Sequence, residues 1–175
     1  RQQGFTLVEV AIVLVIIGLI LGSVMKAQEV IANAKVKNLE MTFNSLAQAI
    51  YTYQERYSAL PGDDSNAGND DPTKRRFQDL TSSANGDGDG NIEGSYKDYT
   101  NADETGRIWR HLRAANLITG SSDDNQSPMN AFSGRIGIGM YSTLGMDPPY
   151  FPWVFIGFTS IPSEVCIIFE GRRDG

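Results

Sequence analysis

The most constraining feature of this chain is an apolar run near its start, FTLVEVAIVLVIIGLILGSVM, at residues 5–25. About 20 apolar residues in a helix cross the hydrocarbon core of a bilayer. A secretory signal peptide has a shorter apolar core of about 7–15 residues and a small-residue cleavage site behind it, and no such site follows this run. We therefore predict a membrane-spanning helix. Its one charged residue, Glu9, lies near the end, where a carboxylate costs less than at the centre.

The helical pattern continues beyond the apolar run. Apolar residues recur there at alternating spacings of three and four: Val36, Leu39, Phe43, Leu46, Ile50, Tyr53 and Tyr57. This spacing predicts one apolar helix face, and Pro61 with Gly62 would stop the helix. A helix of about 50 residues would measure roughly 75 Å. Residues 5–25 are therefore expected to protrude, and residues 26–57 to pack on their own domain.

The remaining residues, 58–175, are predicted to form a globular head. Residues 61–103 are rich in Gly, Asp and Asn and are expected to be a loop. A short helix is predicted at about residues 104–117, and β-branched and aromatic runs predict three antiparallel strands between about 134 and 170. The fold class is therefore α+β, with a long N-terminal helix packed on an antiparallel sheet.

Composition argues against several functions. The formal net charge is −6, and the only basic clusters are residues 74–76 and 172–173, so nucleic-acid binding is not expected. One cysteine, Cys166, permits no disulfide within the chain and is predicted to be a buried, inert thiol. The single histidine, His111, has no nucleophile motif beside it and is predicted to be exposed or half-buried. We expect no enzymatic activity.

The string GFTLVE, residues 4–9, followed by the apolar helix, resembles the processing signature of type IV pilins and of the pseudopilins of type II secretion. The resemblance implies that a prepilin peptidase cuts after Gly4, removing residues 1–4 as a leader remnant, and methylates the amine of Phe5. It also implies that Glu9 pairs with the Phe5 amine of a neighbouring subunit during assembly. A second string, GFTS at Gly157, lacks both the glutamate and the apolar helix.

The same resemblance implies a pilin-like fold and a structural role. The subunit would wait in the bacterial inner membrane and then join copies of itself, or related pilins, in a helical filament built by an assembly machinery. The filament would be an extracellular pilus or a periplasmic pseudopilus. Type IV pilins often carry two cysteines, so the single one here favours an atypical or minor pilin, or a pseudopilin. A single-pass, membrane-anchored periplasmic binding protein is the alternative of another class.

The acidic string NGDGDGNIEG, residues 85–94, follows the first half of a calcium-loop template. Positions 1, 3, 5, 7 and 9 of that template fall on Asn85, Asp87, Asp89, Asn91 and Glu93. Position 12 is Tyr96 rather than glutamate, so a closing ligand would have to come from Asp98 or elsewhere. Calcium binding and a solvated Gly-Asp loop both remain open. The other acidic stretch, residues 62–71, is predicted to be a solvated turn.

Overall fold

The computed structural model describes residues 6–95, 103–140, 154–163 and 165. Helix α1 spans Leu7–Tyr57, a 3₁₀ turn spans Ser82–Ala84, and helix α2 spans Glu104–Ala114. Strands β1, Ile136–Met140, and β2, Val154–Phe158, form an antiparallel pair. A long N-terminal helix with a small antiparallel sheet confirms the predicted α+β, pilin-like fold class.

Helix α1 is one continuous element of 51 residues, about 76 Å long at 1.5 Å per residue. It begins after the extended N-cap residue Thr6. It ends where Ser58 turns into the left-handed region, with φ 52°, and donates its backbone N–H to the carbonyl of Gln54. Left-handed residues commonly terminate helices because they satisfy the last carbonyls.

The two halves of α1 have different surroundings. Every side chain at positions 7–34 is exposed, and the apolar ones include Leu7, Leu14 and Leu19 at 86, 64 and 69% exposure. Within the described residues, α1 is the one helix long and apolar enough to cross a membrane. The head therefore covers α1 only from about Val36 onward.

The head packs on the apolar face of the second half of α1. Five residues of that face are buried, Val36, Leu39, Leu46, Ile50 and Tyr53, whereas Phe43 and Tyr57 are partly buried. The main core lies between this face, α2 and β1. A smaller cluster joins Val36 and Leu39 to Val165, with Phe158 packed beside them. The apolar residues at this heptad-like spacing thus form the face of α1 that packs against the head.

The sheet pairs Ile136 with Phe158 and Ile138 with Ile156. Helix α2 ends at Ala114, earlier than the sequence pattern suggested. The third strand expected from the sequence, in the run at residues 164–170, lies outside the described residues apart from Val165. The described part of the sheet therefore has two strands.

His111 is fully buried, so the prediction of an exposed or half-buried histidine was wrong. Its Nδ1 accepts the backbone N–H of Gly62, and its Nε2 lies 2.7 Å from the carbonyl oxygen of Ala84. Gly62 has a φ of 100°, and a Cβ there would lie 2.7 Å from the backbone oxygen of Glu104. The imidazole therefore connects α2 to the segment that follows α1 and to the 3₁₀ turn.

Burial lowers the pKa of His111 to about 4, because the charged ring would lose its hydration. The unfolded chain, with an ordinary histidine pKa, binds a proton first as the pH falls. The contribution of His111 to stability is therefore complete above about pH 6.5 and declines between about pH 6.5 and 4. The loss should be on the order of 3 kcal/mol.

We expect the variant His111→Asn to lack this pH-dependent loss. The measurement is urea unfolding of the full chain in detergent micelles at several pH values, followed by the fluorescence of the buried Trp109. The wild-type advantage over the variant should shrink as the pH falls from 6.5 to 4. A difference between the two proteins that is constant with pH would contradict the neutral, buried assignment.

Candidate functional sites at the helix start and in the acidic loop

A reciprocal capping box, formed by Thr6 and Glu9, caps the start of α1. The backbone N–H of Thr6 donates to Oε2 of Glu9 at 2.8 Å, and the Thr6 hydroxyl donates to the same oxygen at 2.7 Å. The backbone N–H of Glu9 donates to the Thr6 hydroxyl oxygen at 3.3 Å. The carboxylate of Glu9 is thereby held against the first turn instead of extending away from the helix.

The bonds from Thr6 both end on Oε2 of Glu9. Gly4 and Phe5, the predicted cleavage and methylation sites, lie outside the described residues. Their roles, and the pairing of Glu9 with a neighbouring Phe5 amine, stay predictions.

In the acidic stretch at residues 62–71, the first two aspartates are buried, so the prediction of a solvated turn was wrong for them. Asp63 accepts backbone N–H groups from Gly88, Asp89 and Gly90 at 2.6, 3.1 and 2.9 Å. Burial raises the pKa of Asp63, although the N–H groups of Gly90 and Gly88 oppose the shift. One carboxylate thus binds three consecutive amides of the acidic loop.

Glu104 binds the same loop from the other side. It is the first residue of α2, is buried, and accepts the backbone N–H groups of Asp87 and Glu93 at 3.0 and 3.2 Å. Burial, together with a hydrogen bond to the side chain of Glu93, raises the pKa of Glu104 to about 8. The raised pKa favours the protonated form of this carboxyl group, because burial removes the hydration of its charge and Glu93 lies beside it.

Three of the predicted calcium ligands come together with these two carboxylates. The ligand atoms within each of two groups lie within 4.8 Å of one another: Asp63, Asp87 and Asp89 in one, and Asp87, Glu93 and Glu104 in the other. Asp87 belongs to both groups. Carboxylate oxygens are the ligands that Ca²⁺ prefers, so either group of three could hold an ion.

The two predicted asparagine ligands have other contacts. The side-chain oxygen of Asn85 accepts the backbone N–H of Gly68 at 2.7 Å, and the amide of Asn91 donates to Asp89 at 2.9 Å. Asp98, the suggested closing ligand, lies outside the described residues. The carboxylates that approach the loop instead, Asp63 and Glu104, are too distant in sequence for a linear loop template to include them.

Calcium binding stays a prediction, and Asp87 is the residue to test because it belongs to both groups. The full chain in detergent micelles is titrated calorimetrically with calcium chloride. Replacing Asp87 by Asn should weaken binding by about tenfold or more, whereas the same change at the exposed Asp123 should not.

Calcium binding should strengthen as the pH rises through about 8, because Glu104 must lose its proton to act as a ligand. Absence of heat at millimolar calcium would exclude the site.

Comparison with known families gives one match. The model described as "Prokaryotic N-terminal methylation motif" matches residues 1–25. Neither the curated proteins nor the solved structures contain a match to this chain. The matched residues include the start of α1, where the apolar side chains are exposed. At residues 1–25 the chain carries the prepilin-type signature found in type IV pilins and pseudopilins.

Proposed function

We propose that this chain is a structural subunit of a type IV pilus-like filament, inserted in the inner membrane and then assembled through α1. The observation that supports this most strongly is the exposure of α1 on all sides over positions 7–34. About 28 helical residues measure roughly 42 Å, which exceeds the hydrocarbon thickness of about 30 Å. Lipid would cover the apolar part before assembly, and the helices of neighbouring subunits would cover it afterwards.

The processing step gives the subunit its new amino terminus. A prepilin peptidase would cut the bond between Gly4 and Phe5 and methylate the Phe5 amine, which then carries a positive charge. An ammonium and a carboxylate are each costly in an apolar filament core, and pairing offsets part of that cost. Thr6 supports this role because its two hydrogen bonds hold Glu9 at the helix start. The chain itself would catalyse nothing.

Two alternatives remain beside the pilus subunit. A pseudopilin of a type II secretion system would use the same helix in a short periplasmic filament, and the single cysteine favours it or an atypical pilin. A membrane-anchored periplasmic binding protein would keep α1 as an anchor and would not assemble. Electron microscopy of expressing cells separates the first two, because only a pilus subunit is expected to give long surface fibres.

Mass spectrometry of the amino terminus tests the processing step. Chains expressed with a prepilin peptidase should begin with N-methylated Phe5. The substitution Gly4→Val should leave residues 1–4 attached, because a β-branched residue at the cleavage site would not fit where glycine is required. A wild-type chain that retains Gly4 in the presence of the peptidase would contradict the proposal.

The variants Glu9→Gln and Glu9→Ala test whether Glu9 acts in filament assembly through its negative charge or through its hydrogen bonds to Thr6. Glutamine keeps an acceptor oxygen for Thr6 but cannot neutralise an ammonium group. We expect both variants to reach the membrane and neither to yield filaments, measured as subunit recovered from sheared material. The matched control is Glu29→Gln, because Glu29 is exposed and pairs with Lys26 at the helix surface. Wild-type filament yield from Glu9→Gln would show that Glu9 acts only as a cap.

A further inference from the structure

The charged residues in the exposed half of α1 indicate where a bilayer would lie. They are Glu9, Lys26 and Glu29, and residues 10–25 carry no charge. From Glu9 to Glu29 the helix rises about 30 Å, which equals the thickness of the hydrocarbon core. Lys26 lies one turn inside this limit, and its long side chain reaches the Glu29 carboxylate at 2.8 Å. The boundary of the hydrocarbon on the side of the head therefore falls close to Glu29.

The head begins where the lipid headgroups would end. The headgroup layer adds about 5–7 Å to each side of the hydrocarbon, which corresponds to about four helical residues beyond Glu29. The first residues of α1 that the head covers are Lys35, which is partly buried, and Val36, which is 1% exposed. A helix tilted by about 20°, the average for membrane spans, would bring them closer to the lipid. The adjoining surface of the head therefore lies against the headgroups.

Two loops form the surface of the head that is nearest to the exposed half of α1. Phe132 from one loop and Ile161 from the other pack in the cluster that contains Val36. The side-chain amide of Asn130 donates to the carbonyl oxygen of Thr159 at 2.8 Å and thereby joins the two loops. We call this surface the underside of the head: residues 129–135 and 159–163, with Lys35 and Lys37.

The described part of the underside is basic. Its two loops contain Arg135 and no aspartate or glutamate. Lys35 and Lys37 lie on the same turn of α1 as Val36, and Lys37 is exposed. The ammonium group of Lys35 lies 5.1 Å from the centre of the Phe132 ring. Within the described residues neither lysine forms an ion pair, so both can bind an anion from outside the chain.

Acidic residues lie at the opposite end of the head. Asp64 accepts the hydroxyl of Tyr53 at 2.8 Å, and from Val36 to Tyr53 the helix rises about 26 Å. Asp63, the preceding residue, belongs to the candidate calcium site. The net charge of the chain is −6, so the underside has a charge opposite to that of the whole. An anionic bilayer would attract the underside and repel the far end.

We propose that, in the membrane-inserted subunit, the underside rests on the headgroups of an anionic phospholipid bilayer and that Lys35 and Lys37 bind lipid phosphates. This inference rests on the proposed function, because it requires α1 to span the membrane. It adds a second membrane contact, made by the head. That contact fixes the height of the head above the bilayer and breaks when the subunit leaves the membrane for a filament.

Fluorescence quenching tests the contact in the full chain, with Cys166 replaced by Ser, in nanodiscs of phosphatidylcholine and the anionic phosphatidylglycerol. Some lipids carry a nitroxide quencher on the headgroup. Ser163→Cys on the underside and Ser82→Cys near the far end carry the same nitrobenzoxadiazole label, and both serines are exposed. We expect the label at position 163 to be quenched several-fold more strongly than the label at position 82. Equal quenching at the two positions would overturn the proposal.

Charge changes test the lysine contact. Lys37→Glu should lower the quenching at position 163 several-fold, and omitting phosphatidylglycerol should do the same, because each change removes the attraction between lysine and lipid. Lys74→Glu alters the net charge equally at an exposed position outside the underside and should leave the quenching unchanged. Quenching that responds to neither Lys37→Glu nor the lipid charge would overturn the binding of lipid phosphates.

A label on Leu14→Cys separates this inference from the proposed function. With the nitroxide on the acyl chains, strong quenching at position 14 shows that α1 is inserted. If that label is quenched and the one at position 163 is not, only the present inference fails. If the label at position 14 is not quenched, the proposed function fails as well. Self-quenching between the position 163 labels of two copies, in place of quenching by lipid, would also overturn the inference, because a second copy would then cover the underside.

Discussion

Helix α1 imposes the constraint on which the rest of the structure depends: half of it is apolar and lies outside the head. Exposing apolar surface to water costs a free energy of roughly 25 cal/mol per Å², so this half of the helix is unstable in water. All backbone groups between the ends of α1 are satisfied within the helix, so it can enter lipid without further partners. The same surface can be covered by copies of itself. Membrane anchoring and filament assembly are two solutions to one physical problem.

Buried side chains that bind loop backbone add to the apolar core of the head. Asp63 and Glu104 bind the backbone of the acidic loop, and His111 binds the backbone of Gly62 and Ala84. Arg113, buried in α2, donates to the carbonyl oxygens of Thr119, Asp124 and Gln126. Loops that carry so many backbone polar groups need such partners when they pack against a core.

The sequence allowed the long helix, its buried face and the class of the fold to be predicted, because these depend on periodic local patterns. It did not reveal the buried state of His111, Asp63 or Asp64, since each depends on partners far along the chain. Gly62, which bonds to His111, is 49 positions away from it. The candidate metal site shows the same limit. A linear template located Asp87 and Asp89, but Asp63 and Glu104 reach them only through the fold.

We propose that the apolar half of α1 becomes the contact between subunits after processing. Cysteine cross-linking in cells tests it directly, with single cysteines placed along residues 10–24 in the Cys166→Ser background. If the helices pack in this way, covalent dimers form only when the prepilin peptidase is present, with yields that vary with the helical period along α1. A processed chain that gives only monomers at every position would contradict it.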